Sequence, residues 1–308
     1  MFPVENFPFL FIFGFGNSCF LMDVTIIGYG KLGRALALEN LKINNLYAIV
    51  SQHLCGTTEA EIFHKENVVV VQNLEDLPCL SSVAFICTAD REITTVAKKL
   101  EKRFGKELKD KIIVHCSGAY SDIILSNLKQ LGSYTASAHP LQTFYIYHPD
   151  IFRNLYWIVQ SENFERIANV LTEIGGIPIR VEFDDKQRAI YHASAVACSN
   201  YLNTLLLFAK KLISHIPLEP KFFIPLFQQT LDNNFAHFSE IDFFPLTGPL
   251  VRKDLPTIEE HLKSLYSTPE LQQVYLDLAK ITLLLCKDLG IFTEEELNNL
   301  KHRLDFDF

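Results

Sequence analysis

The 308-residue chain lacks the signatures of several function classes. Its ten histidines form no HxxxH or HExxH arrangement, and its seven cysteines (Cys19, Cys55, Cys79, Cys87, Cys116, Cys198, Cys286) include no CxxC. Zinc-ligand spacing is therefore missing, and no metal site is expected. An odd cysteine set without a disulfide framework fits a reducing, cytoplasmic compartment. Cys87 and Cys116, in apolar runs, and Cys198, in a helical one, read as small buried side chains. Positive charge is also scarce, with 28 Lys and Arg against 36 Asp and Glu and a formal net charge of -8. That balance leaves no basic stripe to track a nucleic-acid backbone. The mixed run Lys98, Lys99, Glu101, Lys102 and Arg103 reads as the solvated face of a helix.

Methionine is almost absent, occurring only as Met1 and Met22. Residues 1–21 are apolar but carry no Lys or Arg, no A-x-A cleavage pattern, and interruptions at Gly14, Gly16, Asn17 and Ser18. They match neither a signal peptide nor a bilayer span, so no membrane partner is expected. Because Met22 directly precedes the first strand-like run, translation is expected to begin there, with 1–21 a mis-called or disordered extension. What the chain does contain is apolar material, 48% hydrophobic against 21% charged, enough for two domains of ordinary size.

From Met22 onward short apolar runs alternate with amphipathic stretches. Strands are expected at 24–27, 46–50, 68–72, 83–87 and 112–115, with helices at 31–40 and 93–104. Further strands fit 134–138, 156–160 and 177–183, with a helix over 162–174 stopped by Gly175-Gly176. Such βαβ rhythm implies a mostly parallel sheet covered on both faces. After Asp184 the pattern turns wholly helical, at 186–213, 221–238, 257–266, 270–289 and 294–304. The expected fold is α/β, a Rossmann-type mostly parallel sheet domain over 22–184 followed by an all-α C-terminal domain over 185–308.

Gly28-Tyr29-Gly30-Lys31-Leu32-Gly33 follows the first strand and opens a helix. In that context the first glycine permits the tight turn, the second lets backbone approach a pyrophosphate, and the third allows close helix–strand packing. Tyr29, Lys31 and Leu32 are counted with the glycines as cofactor-binding, because the helix N-terminus they form faces negative charge. NAD-binding domains usually carry Asp or Glu at the end of the second strand, ~20 residues on. This chain has Ser51-Gln52-His53 there, which favours NADP over NAD, since a carboxylate would repel a 2′-phosphate. Thr88 and Ser117, in the turns after two later strands, are further cofactor candidates. Asp90 in the first of those turns could equally be a helix N-cap.

Three segments join the phosphate loop in a recognisable combination: Ala138-His139-Pro140-Leu141-Gln142-Thr143-Phe144, the run from Tyr191 to Tyr201 (YHASAVACSNY), and Leu246 to Asp254 (LTGPLVRKD). Together they resemble a bacterial family of proteins assigned as NADP oxidoreductases, in which a Rossmann-like domain precedes a helical domain of unknown function. That family is similar to pyrroline-5-carboxylate reductase, ketopantoate reductase and 6-phosphogluconate dehydrogenase. The resemblance implies NADP as cofactor, a small-molecule substrate, a long helix of the second domain facing the nicotinamide, and a homodimer formed through the helical domain. It departs at Lys253, where the family more often has Gly.

Reduction of a carbonyl or imine needs a proton donor held beside the nicotinamide. On a continuous helix His192, Ser199 and Asn203 fall within about 40° of one another, with Val196 on the same face and Asn200 about 80° round. His192, Asn200 and Ser199 are therefore the leading catalytic candidates, the alternative being a polar network between helices. Lys186 heads the same helix, where related dehydrogenases place a catalytic Lys, although position 190 is Ile and the Lys-xxx-Asn pair is absent. His139, at a strand end, is a second possible acid or a cleft-shaping His-Pro turn. Arg252, beside the rigid Thr247-Gly248-Pro249 turn, could grip an anionic substrate bidentately or pair with Asp254. The expected activity is NADP-dependent hydride transfer to or from a small polar carbonyl, hydroxy or imino compound. The alternative is a nucleotide-binding regulatory or non-catalytic protein on the same scaffold.

Overall fold

The computed structural model describes residues 22–240 and 245–304; the expectation about residues 1–21 lies outside them. The chain divides into two compact units, one running to Ser199 and the other from Asn200.

The first unit is built on one eight-stranded sheet in the order β3-β2-β1-β4-β5-β6-β7-β8. Its elements are β1 (Val24–Ile27), α1 (Lys31–Lys42), β2 (Leu46–Val50), α2 (Thr58–Lys65), β3 (Val69–Val71), β4 (Val83–Ile86), α3 (Ile93–Phe104), β5 (Ile112–His115), α4 (Ser126–Gln130), β6 (Tyr134–Pro140), β7 (Tyr156–Gln160), α5 (Phe164–Glu173), β8 (Ile177–Arg180) and α6 (Asp185–Val196). All strand pairs are parallel except β6 with β7, where Ser137 opposes Gln160 and Pro140 opposes Trp157.

Strand residues alternate between two cores, because successive side chains leave a strand on opposite faces. Val24, Ile26, Val83 and Phe85 join α1, α2 and α5 on one face. Ile27, Ala84 and Ile86 join α3 and α4 on the other. Every residue of β1, β4 and β5 is buried, so their mostly apolar runs are what a sheet covered on both sides requires. Strand order reverses between β1 and β4. That switch point opens a crevice at the carboxyl ends of the strands, the standard place for a ligand in an open α/β sheet.

The second unit comprises α7 (Leu202–Ile213), α8 (Ile224–Phe235), α9 (Leu255–Ser264), α10 (Pro269–Cys286) and α11 (Glu294–Leu304). Its buried apolar cluster is small, formed by Leu283, Cys286, Phe292, Leu297 and Leu300. Among the described residues no helix is long and apolar enough to cross a membrane.

One expected element is corrected. The stretch 186–213 is not a single α-helix, because a π-helical turn at Ala197–Tyr201 separates α6 from α7. Hydroxyls that bond back to the carbonyl four residues earlier bend and loosen a helix, and this stretch has three. Ser194 Oγ donates to Ile190 O (2.9 Å), Ser199 Oγ to Ala195 O (2.7 Å) and Thr204 Oγ1 to Asn200 O (3.1 Å). A π turn takes up an extra residue, so positions beyond it are rotated by about 100° from their α-helical places. The stripe that put Asn203 above His192 is not formed. Cys198, expected to be buried, is exposed on this turn.

Candidate functional site

A cleft of about 430 Å³ lies at the carboxyl ends of β1, β2, β3 and β4. Gly28, Tyr29 and Gly30 form one end, Ser51, Gln52, His53, Gln72 and Asn73 one side, Thr88 and Ala89 the floor, and Glu92 just before α3 with Thr95, Val96 and Lys99 of α3 the other wall. The loop glycines differ in what surrounds them. Gly28 has φ +98°, and a Cβ there would stand 2.8 Å from the Cys87 carbonyl carbon and the Thr88 nitrogen. At Gly33 a Cβ would stand 2.0 Å from Gly28 O, so α1 lies directly against the turn. Around Gly30, in contrast, a Cβ would meet nothing within 4 Å. That open space borders the N-terminus of α1, whose cap residue Gly30 supplies no side-chain bond. The first N–H groups of the helix are thus left for an external anion.

The β2 end carries no carboxylate. Ser51 is buried, its N–H donating to Val71 O (2.9 Å) and its Oγ accepting from the His53 N–H (3.3 Å). Thr88 Oγ1 is buried without a hydrogen-bond partner, a cost that a ligand contact in the cleft would relieve. Asp90 does not cap α3. A 3₁₀ turn at Asp90–Glu92 leads into that helix and no side chain caps it.

Of the loop residues expected to contact cofactor, Gly28, Tyr29 and Gly30 line the cleft and Lys31, Leu32 and Gly33 do not. Lys31 instead places its ammonium 4.1 Å from the Tyr145 ring centroid, in the segment after β6. Tyr29 packs edge-on to Phe63, and burial together with the Glu59 carboxylate pushes its hydroxyl well above the ordinary tyrosine range. Ser117 is also outside the cleft. It is buried in the turn after β5, its Oγ accepting from the Ala119 N–H (3.1 Å) and its own N–H donating to His115 Nδ1 (3.3 Å).

A second group of side chains gathers at the carboxyl ends of β5 and β6. The Tyr191 hydroxyl lies 2.5 Å from His139 Nδ1, and the His139 and His192 ring centroids are 6.3 Å apart. Gly118 permits this, because a Cβ there would be 2.9 Å from Nδ1 of both histidines. His192 Nδ1 is buried and unpartnered. Burial, with the nearby His192 and Arg188 charges, pushes His139 down to about 4, and burial pushes Tyr191 up to about 12. At neutral pH the contact therefore joins a neutral imidazole to a protonated phenol.

Sequence reasoning found His139 and His192 but missed Tyr191 and, behind it, Arg188. Arg188 is 4% exposed. Its guanidinium donates to Ser137 Oγ (3.4 Å) and to Gln160 Oε1, and lies 5.7 Å from the Phe183 ring. Arg188, Tyr191 and His192 stand at i, i+3 and i+4, on one helix face, a spacing that could have flagged them. Ser137 and His139 likewise share one face of β6. Two polar rungs thus tie α6 to β6, Arg188 to Ser137 and Tyr191 to His139.

The other candidates are dispersed. Lys186 is exposed in the first turn of α6, and Ser199 and Asn200 sit in the π turn. In the second unit Thr247 and Arg252 are exposed beside Gly248, whose φ is +112°. The Arg252–Asp254 pair is not formed. Asp254 accepts from the Thr257 N–H (3.3 Å) and hydroxyl (2.8 Å), capping α9, and these bonds hold its carboxyl below the usual range. Arg252 makes no ion pair among the described residues. His261 meets the Tyr275 hydroxyl at 2.8 Å. No group of three or more metal-ligating side chains occurs among the described residues.

Residues 158–282 match the model of DUF2520, a domain of unknown function. No curated protein matches the chain. Among solved structures, the "putative NADP oxidoreductase" BF3122 of Bacteroides fragilis superposes with a TM-score of 0.69 at 19% identity, over 84% of this chain and 96% of that one. A reductive aminase from Aspergillus terreus, solved with NADPH and ethyl-5-oxohexanoate, gives 0.58 at 14% identity over 92% of each chain. A pyrroline-5-carboxylate reductase from Coxiella burnetii gives 0.50 at 14% identity, over 92% of this chain and 98% of that one. The chain thus carries a DUF2520 match on the Rossmann-like α/β plus helical fold that these reductases share.

Proposed function

We propose that the chain is an NADP-dependent oxidoreductase that transfers hydride between the nicotinamide and a small polar carbonyl, hydroxy or imino substrate. The carrying observation is the pairing of two features along one carboxyl edge of the sheet. One is the glycine-bounded cleft without a carboxylate at the β2 end, and the other is the His139–Tyr191–His192 group beyond Gly118. The structural likeness to a reductive aminase solved with NADPH supports the same reading.

Gly28, Gly30 and the first N–H groups of α1 would hold the pyrophosphate, and Ser51, Gln52 and His53 the adenosine ribose. When bound, NADPH would supply the hydride. The chain's own part is to deliver a proton, and the Tyr191 hydroxyl, backed by neutral His139, is the donor whose charge state suits that task at neutral pH. His192 Nδ1, buried and unpartnered, would bond the reacting oxygen or nitrogen, which explains why its desolvation is tolerated. Residues 22–184 act in this scheme as the dinucleotide-binding domain and 185–308 as the substrate and dimerisation domain. Exposed Phe222, Ile224 and Leu226 at the start of α8 support a homodimer. Sedimentation giving only monomer at micromolar concentration would remove that part.

Calorimetry tests the cofactor claim. NADPH should bind at micromolar concentration and more tightly than NADH, and no nicotinamide binding at all would end the proposal. With a substrate found by NADPH-consumption screening of carbonyls and imines, Tyr191→Phe and His192→Gln should each lower kcat about 10²-fold or more while NADPH affinity holds. Unchanged turnover in both variants would show that the proton comes from elsewhere.

A further inference from the structure

The α3 wall of the cleft carries one more piece of information. Glu92, in the 3₁₀ turn before α3, and Thr95, Val96 and Lys99 of α3 occupy i, i+3, i+4 and i+7, so a single stripe faces the cleft. The sequence places Lys99 in a run of mixed charges that reads as solvent-facing, and the structure separates that run. Arg103 donates to Leu77 O (2.9 Å) and lies over the Phe104 ring, while Lys98 and Lys102 stay outside the cleft. Lys99 alone among the lysines and arginines lines it. Its ammonium has no ion pair and no hydrogen-bond partner among the described residues, whereas the carboxylate of the lining, Glu92, lies near Arg91 at 3.5 Å, two turns away.

A pyrophosphate already has its place at the α1 N-terminus. Lys99 stands six residues beyond the start of α3, about 9 Å along its axis, in the wall across the cleft from Ser51, Gln52, His53 and Asn73. A lone ammonium on a flexible stem facing neutral hydroxyl and amide groups, with no carboxylate at the strand end, is suited to a second phosphate monoester.

We propose that Lys99 is the counter-charge for the 2′-phosphate of a bound nucleotide, and that the choice of NADP over NAD is made from α3 as well as from the β2 end. This inference rests on the dinucleotide reading of the cleft and goes further by naming the residue that discriminates.

Binding to the full-length chain tests it without any turnover assay. The probes are NADPH, NADH, adenosine 2′,5′-bisphosphate and AMP, titrated into wild type, Lys99→Met and Lys99→Glu. Lys99 is exposed, so both variants should fold with an unchanged unfolding midpoint. Lys99→Met should weaken NADPH and adenosine 2′,5′-bisphosphate about tenfold or more, the size of a lost charged hydrogen bond, and leave NADH and AMP within about twofold. Lys99→Glu should cost more, and added salt should erode the wild-type preference but not that of Lys99→Met. Equal losses for both nucleotide classes, or none, would overturn the role of Lys99 while leaving the cofactor reading intact. Wild type that binds neither NADPH nor NADH would overturn both.

Discussion

In the unit ending at Ser199 the sheet encloses large aromatic side chains: Trp157, Phe63, Phe85 and Phe152 are all under 2% exposed, although Tyr145 and Ile146 after β6 face solvent. Beyond Ser199 the balance reverses, with Phe222 at 60%, Leu226 at 62%, Leu285 at 70% and Phe238 at 74%. A sheet covered on both faces closes its core with its own chain. The helical unit leaves more apolar surface exposed than its small cluster around Leu283 and Phe292 encloses, and the proposed homodimer would use that surface. Around the candidate site of the first unit Arg188, His115, His139 and Tyr191 are each held by a named bond, while Thr247 and Arg252 in the second face solvent.

If the first unit is the rigid one, its tightest contact should be its most costly to alter. Gly33→Val would drive a side chain into Gly28 O, 2.0 Å from the ideal Cβ position, and should destabilise by on the order of 4 kcal/mol. The chain has one tryptophan, Trp157, buried in this unit. Its fluorescence therefore follows the first unit, and the 222 nm ellipticity weighs the helices of both. The fluorescence transition should move to much lower denaturant and take nucleotide binding with it. A fluorescence transition that stays in place would break the contrast.

A smaller effect is expected from the protonation of a single buried histidine. His115 is wholly buried, with Nε2 donating to Ser121 O (3.0 Å) and Nδ1 accepting from Ser117, and burial pushes it down to about 4. In the unfolded chain it titrates near 6.5. Between those values the unfolded state binds a proton that the folded state refuses, so stability is full above about pH 6.5 and falls as pH drops towards 4. The loss is on the order of 3 kcal/mol for His115, and His139, also lowered to about 4, acts in the same direction. Denaturation followed by Trp157 at pH 7 and pH 4.5 measures it. His115→Gln should flatten the slope, and an unchanged slope would assign the acid sensitivity elsewhere.

Most of the sheet unit is legible in sequence because its signals are local. The runs at 24–27, 46–50, 112–115 and 156–160 coincide with β1, β2, β5 and β7, since strands buried on one or both faces need short apolar runs. Helix α2 has only the Thr57 cap, which accepts from the Ala60 N–H, and two buried residues to announce it. The π turn was hidden because three serine and threonine hydroxyls, unremarkable one by one, act on one stretch of helix. Among site residues the glycines are visible, because their tasks are set by neighbouring backbone. Lys99 is not, since its meaning depends on which wall it faces after folding, and Arg188 is legible only as a helix-face neighbour of Tyr191 and His192.

The smallest predicted effect lies in the second unit, where the chain departs from the Gly of the family it resembles. Lys253 has φ +59°, a left-handed conformation that favours glycine. The turn is held regardless, by the Lys253 N–H donating to Leu250 O (3.1 Å) and the Asp254 N–H to Pro249 O (2.9 Å). The Lys253 ammonium also pairs with Glu296, which accepts from the Thr293 N–H as well and is pushed down to about 2 by these contacts. Removing the side chain therefore loses a surface pair while glycine relieves the backbone, and the two must be separated. Lys253→Ala loses the pair and keeps the strain; Lys253→Gly loses the pair and releases it. The glycine variant should be the more stable of the two by about 1 kcal/mol, read from the 222 nm transition, with Trp157 fluorescence unmoved. An alanine variant as stable as glycine would mean that the left-handed turn is not kept in solution. The loop carrying Thr247 and Arg252 would then be free to reshape, and the contrast between a pinned sheet unit and an open helical one would extend to its backbone.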